Sequence, residues 1–413
     1  MELLSLSTTI LKASTVVFIV FITYQTIFLL QLTNANPQTD LFPVNQTIRI
    51  PNINDLEFNP ANKTMYVSSL DLEASPSRNC CIYIIGPANL IIDNITTRGY
   101  DLEFNPANNN MYAITTPKGT VSVINGKTNQ VIDTVLGLAD DPRFLKLKFN
   151  PANESMYVYG TDPISGVANL SVLDITTNKV KENISIGFGG EYLEFNPANN
   201  NFYMPISDSD SVLVIDGESN RIIDNITVGD GPLIPMFNPV NNNIYVTNTD
   251  SSTVSVIDMS NKVIDNIVIP DPVSLEFNPA NNKTYVSSGR SDVISVLDSS
   301  NRLIQNVSLI GNGGVFDLGF FMTPQLGFNP ANTNMYAGNP HQTCNTVTNS
   351  SGFSSTCTST VAVIDSTNNT VIANVFTGAA GNFKFNPANN NMYATRGQFI
   401  NVGGDDILVI AEK

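Results

Sequence analysis

Eight strand-like segments of the chain each carry one residue just before a recurring Phe-Asn-Pro. In order these residues are Glu57, Glu103, Lys148, Glu194, Met236, Glu276, Gly327 and Lys384. If the segments surround an axis, these side chains form a ring. Glu57, Glu103, Glu194 and Glu276 are then the candidates for holding a hard cation such as Ca²⁺. Lys148 between Glu103 and Glu194, and Lys384 beside Glu57 once a ring closes, give the opposite reading of charge compensation around a channel. The order of the charges favours compensation, and no cofactor is expected.

Other reactive side chains are few. The sequence holds one histidine, His341, which removes most Ser-His-Asp, Cys-His and multi-histidine metal chemistries. His341 and Cys344 together lack a second ligand cluster nearby in sequence. Of the four cysteines, Cys344 and Cys357 bracket a Ser/Thr-rich segment and are expected to form a local disulfide if the protein is exported. The adjacent Cys80 and Cys81 are left unassigned, because vicinal bridging is strained. Carboxylates in variable connections, namely Asp140, Asp141, Glu191, Asp230 and Asp317, are the remaining candidates for acid–base work. Asp208-Ser-Asp210 and Asp140-Asp141 resemble fragments of a Ca²⁺ loop but lack its glycine and distal glutamate.

The elements that must position these residues come from a repeat. Phe-Asn-Pro begins at Phe58, Phe104, Phe149, Phe195, Phe237, Phe277, Phe328 and Phe385, at separations of 40 to 57 residues, the period of propeller blades. Each copy has four β-rich runs, a to d, separated by Asn, Pro, Asp or Ser turn signals, and no sustained helical period follows residue 40. Pro ends strand a, and the Asn-rich a–b and c–d turns suit residues that tolerate a left-handed backbone. Much of the excess of asparagine, 55 of 413 residues, is this turn grammar.

The expected fold is all-β: a single β-propeller of four-stranded blades, eight rather than seven, over residues 36–413. The repeats fall at about 45–95, 96–137, 138–187, 188–229, 230–269, 270–310, 311–376 and 377–413. The last copy lacks a strand d, and residues 45–50 form an orphan one. Ring closure is therefore expected through Thr47–Ile50 pairing antiparallel to Ile407–Ala411.

Residues 1–35 carry Lys12 and an apolar run, 13–32, followed by small residues near Ala35. This reads as a signal peptide or an N-terminal membrane anchor, and so as export to the cell surface or exterior. Eleven Asn-x-Ser/Thr sequons, at Asn45, Asn62, Asn94, Asn153, Asn169, Asn183, Asn225, Asn282, Asn306, Asn349 and Asn368, are glycosylation candidates, several of them at one place in strand d. A net charge of −16 with 20 Lys and Arg excludes nucleic acid as the expected partner.

Tyr245-Val-Thr-Asn248, Tyr66-Val-Ser-Ser69 and Tyr285-Val-Ser-Ser288, with Val-Ser-Val-Ile-Asp beside them, resemble the YVTN-type β-propeller repeat proteins of archaeal and bacterial surfaces. The resemblance covers residues 41–413 and implies a surface-associated binding or structural propeller. The wider group also includes lactonase-like enzymes and cofactor-bearing propellers. Two expectations follow. The first is a binding or structural module that recognises an extracellular glycan, peptide or surface protein through its variable b–c and d–a loops, with the membrane contacted only through an uncleaved leader. The alternative is a lactonase-like hydrolase with a metal at the channel mouth. A haem or quinone propeller is disfavoured by one His and no Trp.

Overall fold

The computed structural model describes residues 44–69, 81–116, 119–136, 138, 143, 145–161, 167–289, 291–309, 325–338, 343–349, 352–358, 360–376, 380–396 and 406–411. The 1–35 leader, His341, Cys80, Asp140, Asp141 and Asp317 lie outside these residues. Among the described residues no helix is long and apolar enough to cross a membrane.

Eight antiparallel four-stranded sheets form the blades of one propeller. Blade 5 shows the pattern: strand a is Pro232–Asn238, b Asn243–Asn248, c Thr253–Ile257 and d Val263–Val268. A short 3₁₀ turn spans Ser207–Ser209. Blade 7 carries an added hairpin between its strands b and c, Thr343–Asn349 with Gly352–Thr358. Blade 8 is built from both ends of the sequence. Val44–Arg49 lies antiparallel to Asp406–Ile410 with Thr47 opposite Leu408 and Ile48 opposite Ile407, so the expected closure holds.

Blades stack through apolar faces. Eight separate hydrophobic clusters exist, one per blade interface, and each Phe of the Phe-Asn-Pro motif packs against one of them. Between blades 1 and 2, for example, Tyr66, Ile82 and Ile84 meet Leu102, Met111 and Ala113, with Phe104 at the margin. The core is thus a ring of small cores rather than one centre.

Polar clasps reinforce each apolar contact. Every strand b places one tyrosine, and all eight of these side chains are fully buried. A buried hydroxyl needs a partner. In seven blades it donates to an asparagine Oδ1 in the c–d turn of the next blade: Tyr66 to Asn129, Tyr112 to Asn178, Tyr157 to Asn220, Tyr203 to Asn261, Tyr245 to Asn301, Tyr285 to Asn369 and Tyr393 to Asn89. Those seven asparagines all have φ between 51° and 66°. The same residue therefore supplies a left-handed backbone, which branched side chains resist, and an acceptor for the neighbouring blade. Blade 8 takes its strands c and d from opposite ends of the chain, so no c–d turn faces Tyr336, which accepts from Asn332 Nδ2 at 3.1 Å.

The Asn of each Phe-Asn-Pro is buried and fastens its own turn. Its Oδ1 accepts the N–H two residues on, closing the a–b turn, as in Asn59 to Ala61 at 2.9 Å. In five blades its Nδ2 also reaches the next blade, as in Asn59 to the Gly126 carbonyl and Asn150 to the Gly217 carbonyl, whereas that of Asn386 stays on the Tyr393 hydroxyl of its own blade and that of Asn105 has no partner among the described residues.

Deleting residues 41–50 removes strand d of blade 8 and with it Ile48 and Ile50 from the core. We expect the melting temperature of the full chain to fall by about 4–8 °C, since burying two such side chains contributes about 3–6 kcal/mol. Thermal unfolding followed by circular dichroism checks this.

Candidate functional site

The two faces of the disc differ in kind. The a–b and c–d turns share one face, where Asn62 of blade 1 donates to Asn129 of blade 2 at 2.7 Å. That face is committed to clasps. The b–c and d–a connections share the other face, where Asp250 N–H donates to the Asp230 carbonyl at 3.2 Å. Asp230 itself is exposed there.

The channel between the a strands opens into a cavity of about 400 Å³. Side chains two apart on a strand share a direction. The channel therefore has two layers, the residue immediately before each Phe and the residue two positions earlier. The first layer places Glu57, Glu103, Lys148, Glu194 and Lys384 in the wall. Met236, Glu276 and Gly327 of the expected ring are not among its lining residues. At Gly327 a Cβ would lie 2.5 Å from Phe383 Cβ, so blade 8 approaches there to a distance only glycine allows. The second layer contributes Asp55, Asp101, Lys146, Tyr192, Gln325 and Asn382, and Tyr159 joins from strand b of blade 3. Of the loop carboxylates proposed from sequence, Glu191 is at this wall.

The acids are tied to the neighbouring blade. Strand a is an inner sheet edge with unpaired N–H groups, and a carboxylate from the preceding blade caps them. Asp55 Oδ2 accepts from Leu102 N at 2.9 Å, and Asp101 Oδ2 from Leu147 N at 2.7 Å. Glu103 Oε1 accepts from Phe149 N at 2.9 Å, and Glu194 Oε1 from Phe237 N at 3.2 Å. Lys384 binds Glu57 and Lys146 binds Asp101, the latter at 3.0 Å. The ring foreseen as charge compensation is therefore also an edge cap.

Among the described residues no group of three His, Cys, Asp or Glu side chains is placed to hold a metal ion. A lactonase-like metal site would need converging free carboxylate oxygens, whereas Asp55, Asp101, Glu103 and Glu194 each have one oxygen committed to a backbone N–H.

Burial and repulsion shift several groups. Burial pushes Asp55 up to about 8, aided by Asp101 and Glu57 and opposed by Lys146 and Lys384. Burial likewise lifts Glu103 to about 7 against the pull of Lys148, and Glu276 to about 7 with Glu194 adding to the rise. For Lys148 burial works against the charged form, but Glu103 and Glu194 outweigh it and its ammonium is held above the usual range. At neutral pH the cavity wall thus retains protons on carboxyl groups.

The remaining sequence candidates are scattered. Asn94, Asn169, Asn183, Asn225, Asn282, Asn306 and Asn368 are exposed, four of them on strand d at the rim. Asn62 and Asn153 instead use their amide groups to reach Asn129 and Asn220 of the next blade. The side chains of Asn45 and Asn349 lie outside the described residues. Cys81 is buried. Cys344 and Cys357 sit directly opposite one another in the backbone register of the blade 7 hairpin.

Asp55, Asp101, Lys146, Tyr159 and Tyr192 were not singled out by sequence. Asp55 and Asp101 had a readable signal, since each lies two residues before a ring glutamate on the same strand and so points the same way.

No family model matches the chain, and no curated protein matches it. Among solved structures it is similar to the dihydro-haem d1 dehydrogenase NirN, solved in complex with DHE, at 14% identity and a TM-score of 0.60, covering 88% of this chain and 77% of that one. A second similarity, at 18% identity and a TM-score of 0.46, is to Kuenenia stuttgartiensis hydrazine synthase, covering 60% of this chain and 72% of that one. At these identities the likeness is one of fold, the β-propeller.

Raised carboxyl pKa values make folding take up protons. The unfolded chain releases the Asp55 proton near pH 4 and the folded chain near 8, so this group lowers stability progressively between those values. Asp55→Asn should leave the melting temperature near pH 4 almost unchanged and raise it at pH 8, flattening the profile. Calorimetry from pH 4 to 9 on both proteins checks this.

Proposed function

We propose that this chain is an exported, surface-associated binding and structural propeller of the YVTN type, which recognises an extracellular protein or glycan through its b–c and d–a loop face. The observation that supports this reading is the division of labour between the two faces. One is committed blade after blade to the same Asn and Tyr clasps, while the other carries connections of unequal length around the mouth of the channel. Repeat scaffolds place recognition on such a face. Export rests on the apolar run at 13–32, which serves as signal or anchor. Exposed sequons on strand d suit glycosylation at the rim, away from both faces. The opposed Cys344 and Cys357 suit a disulfide that fastens the blade 7 hairpin in an oxidising compartment.

The test is a screen of the full chain against immobilised glycans and surface proteins, repeated with charge reversals on each face. Asp230→Arg with Asp250→Arg should weaken the recovered interaction by about tenfold or more, as a hot-spot contact does. Lys127→Glu with Glu218→Lys, in the c–d turns, should leave it unchanged. Loss of binding only with the second pair would overturn the proposal.

A further inference from the structure

The wall of the channel cavity is unbalanced. It presents six carboxyl groups, Asp55, Glu57, Asp101, Glu103, Glu191 and Glu194, and three ammonium groups, Lys146, Lys148 and Lys384. Lys146 is matched to Asp101 and Lys384 to Glu57, while Lys148 stands between Glu103 and Glu194. The charge left over is negative. Capping the next blade's edge uses one oxygen each of Asp55, Glu103 and Glu194, so the second oxygen of each is not needed for the fold.

A second, independent observation comes from Tyr159. This side chain is 5% exposed, lines the cavity, and its hydroxyl makes no hydrogen bond to any described residue. The clasp tyrosine two positions earlier on the same strand, Tyr157, has its hydroxyl bonded to both Asn150 and Asn220. The hydroxyl faces the cavity, where a ligand can serve as its partner. The Tyr159 hydroxyl is therefore surplus to the fold and available to the cavity.

We infer that the cavity is a binding site for a small aliphatic amine or diamine, whose ammonium groups are held by the free oxygens of Asp55, Glu103 and Glu194 and by the Tyr159 hydroxyl. Its volume is in the range of small-molecule pockets, about 300–1,000 Å³. An ammonium donates in no fixed polyhedron, and Asp101, Glu103 and Glu194 all lie close enough to Tyr159 to act on its hydroxyl. Ca²⁺ needs six to eight oxygens, and the described residues gather no metal-holding cluster. A neutral polyol would leave the excess negative charge uncompensated. In the empty cavity protons supply the missing positive charge, since Asp55 and Glu103 hold theirs to about 8 and about 7. A bound amine therefore displaces protons. The groups facing Asp55 are Asp101, Lys146, Glu57 and Lys384, and those facing Glu103 are Lys148, Glu57 and Lys384. The site is independent of whatever partner the surrounding loops take.

Titration calorimetry of the full chain with 1,4-diaminobutane, in buffers of differing ionisation enthalpy, tests this. We expect one site per chain, net release of protons at pH 7, and affinity that rises about tenfold from pH 6.5 to 8 as the carboxyl protons become easier to displace. Asp55→Asn and Glu103→Gln keep the cap to the next strand, and each should weaken binding about tenfold and reduce the proton release. Tyr159→Phe should weaken it about threefold. Absence of binding to the unsubstituted protein, equal binding of neutral 1,4-butanediol, or binding that neither pH nor these substitutions alter would each overturn the inference. Loop-face charge reversals that abolish partner recognition while leaving diamine binding intact separate this site from the proposed recognition face.

Discussion

A propeller blade cannot bury its own faces, so everything in this protein depends on how one blade is fixed to the next. The recurrent solution is the bond from a fully buried strand b tyrosine to the Oδ1 of an asparagine in the following c–d turn. That asparagine must hold φ near +60°, a conformation that Asn tolerates and β-branched residues do not. Backbone demand and side-chain demand fall on one residue, which makes the turn and the blade interface parts of the same interaction. The apolar clusters supply most of the attraction between blades. The clasps set the register in which they meet.

The same economy runs down the channel. Inner strands expose N–H groups along an unpaired edge, and carboxylates of the preceding blade cap them. Gathering acids there for a structural reason creates a strongly acidic cavity, with lysines that offset part of the charge. The elevated carboxyl pKa values follow from burial and crowding, and they mark the cavity as a place where positive charge is favoured. Structure and the proposed amine chemistry thus share residues.

Much of the fold was legible because its signals repeat. Eight Phe-Asn-Pro motifs counted the blades, and the missing strand d in the last copy located the closure at residues 45–50, now seen paired with Asp406–Ile410. The asparagine excess pointed to left-handed turns, but its second role could not be read. That Asn220 faces Tyr157, some sixty residues earlier, depends on the angle between blades and has no local signature. Likewise the ring glutamates were visible from their place before Phe, whereas Tyr159 and Tyr192 enter the cavity through strand length and loop path. All the sequons were read as glycosylation candidates, yet Asn62 and Asn153 prove to be interblade donors while Asn225 and Asn306 are exposed on the rim.

The clasp is tested most directly by a double-mutant cycle on Tyr245 and Asn301 in blades 5 and 6. Asn301→Gly keeps the left-handed backbone accessible and removes the acceptor, while Tyr245→Phe removes the donor together with the oxygen that accepts from Asn241 Nδ2 at 2.9 Å. The account predicts that each change destabilises the protein by about 1 kcal/mol or more and that the pair together costs clearly less than the sum, with a coupling energy of about 0.5–2 kcal/mol. Strictly additive losses, or no loss from Asn301→Gly, would show that the asparagine serves the turn alone and that the blades are held in register by their apolar faces.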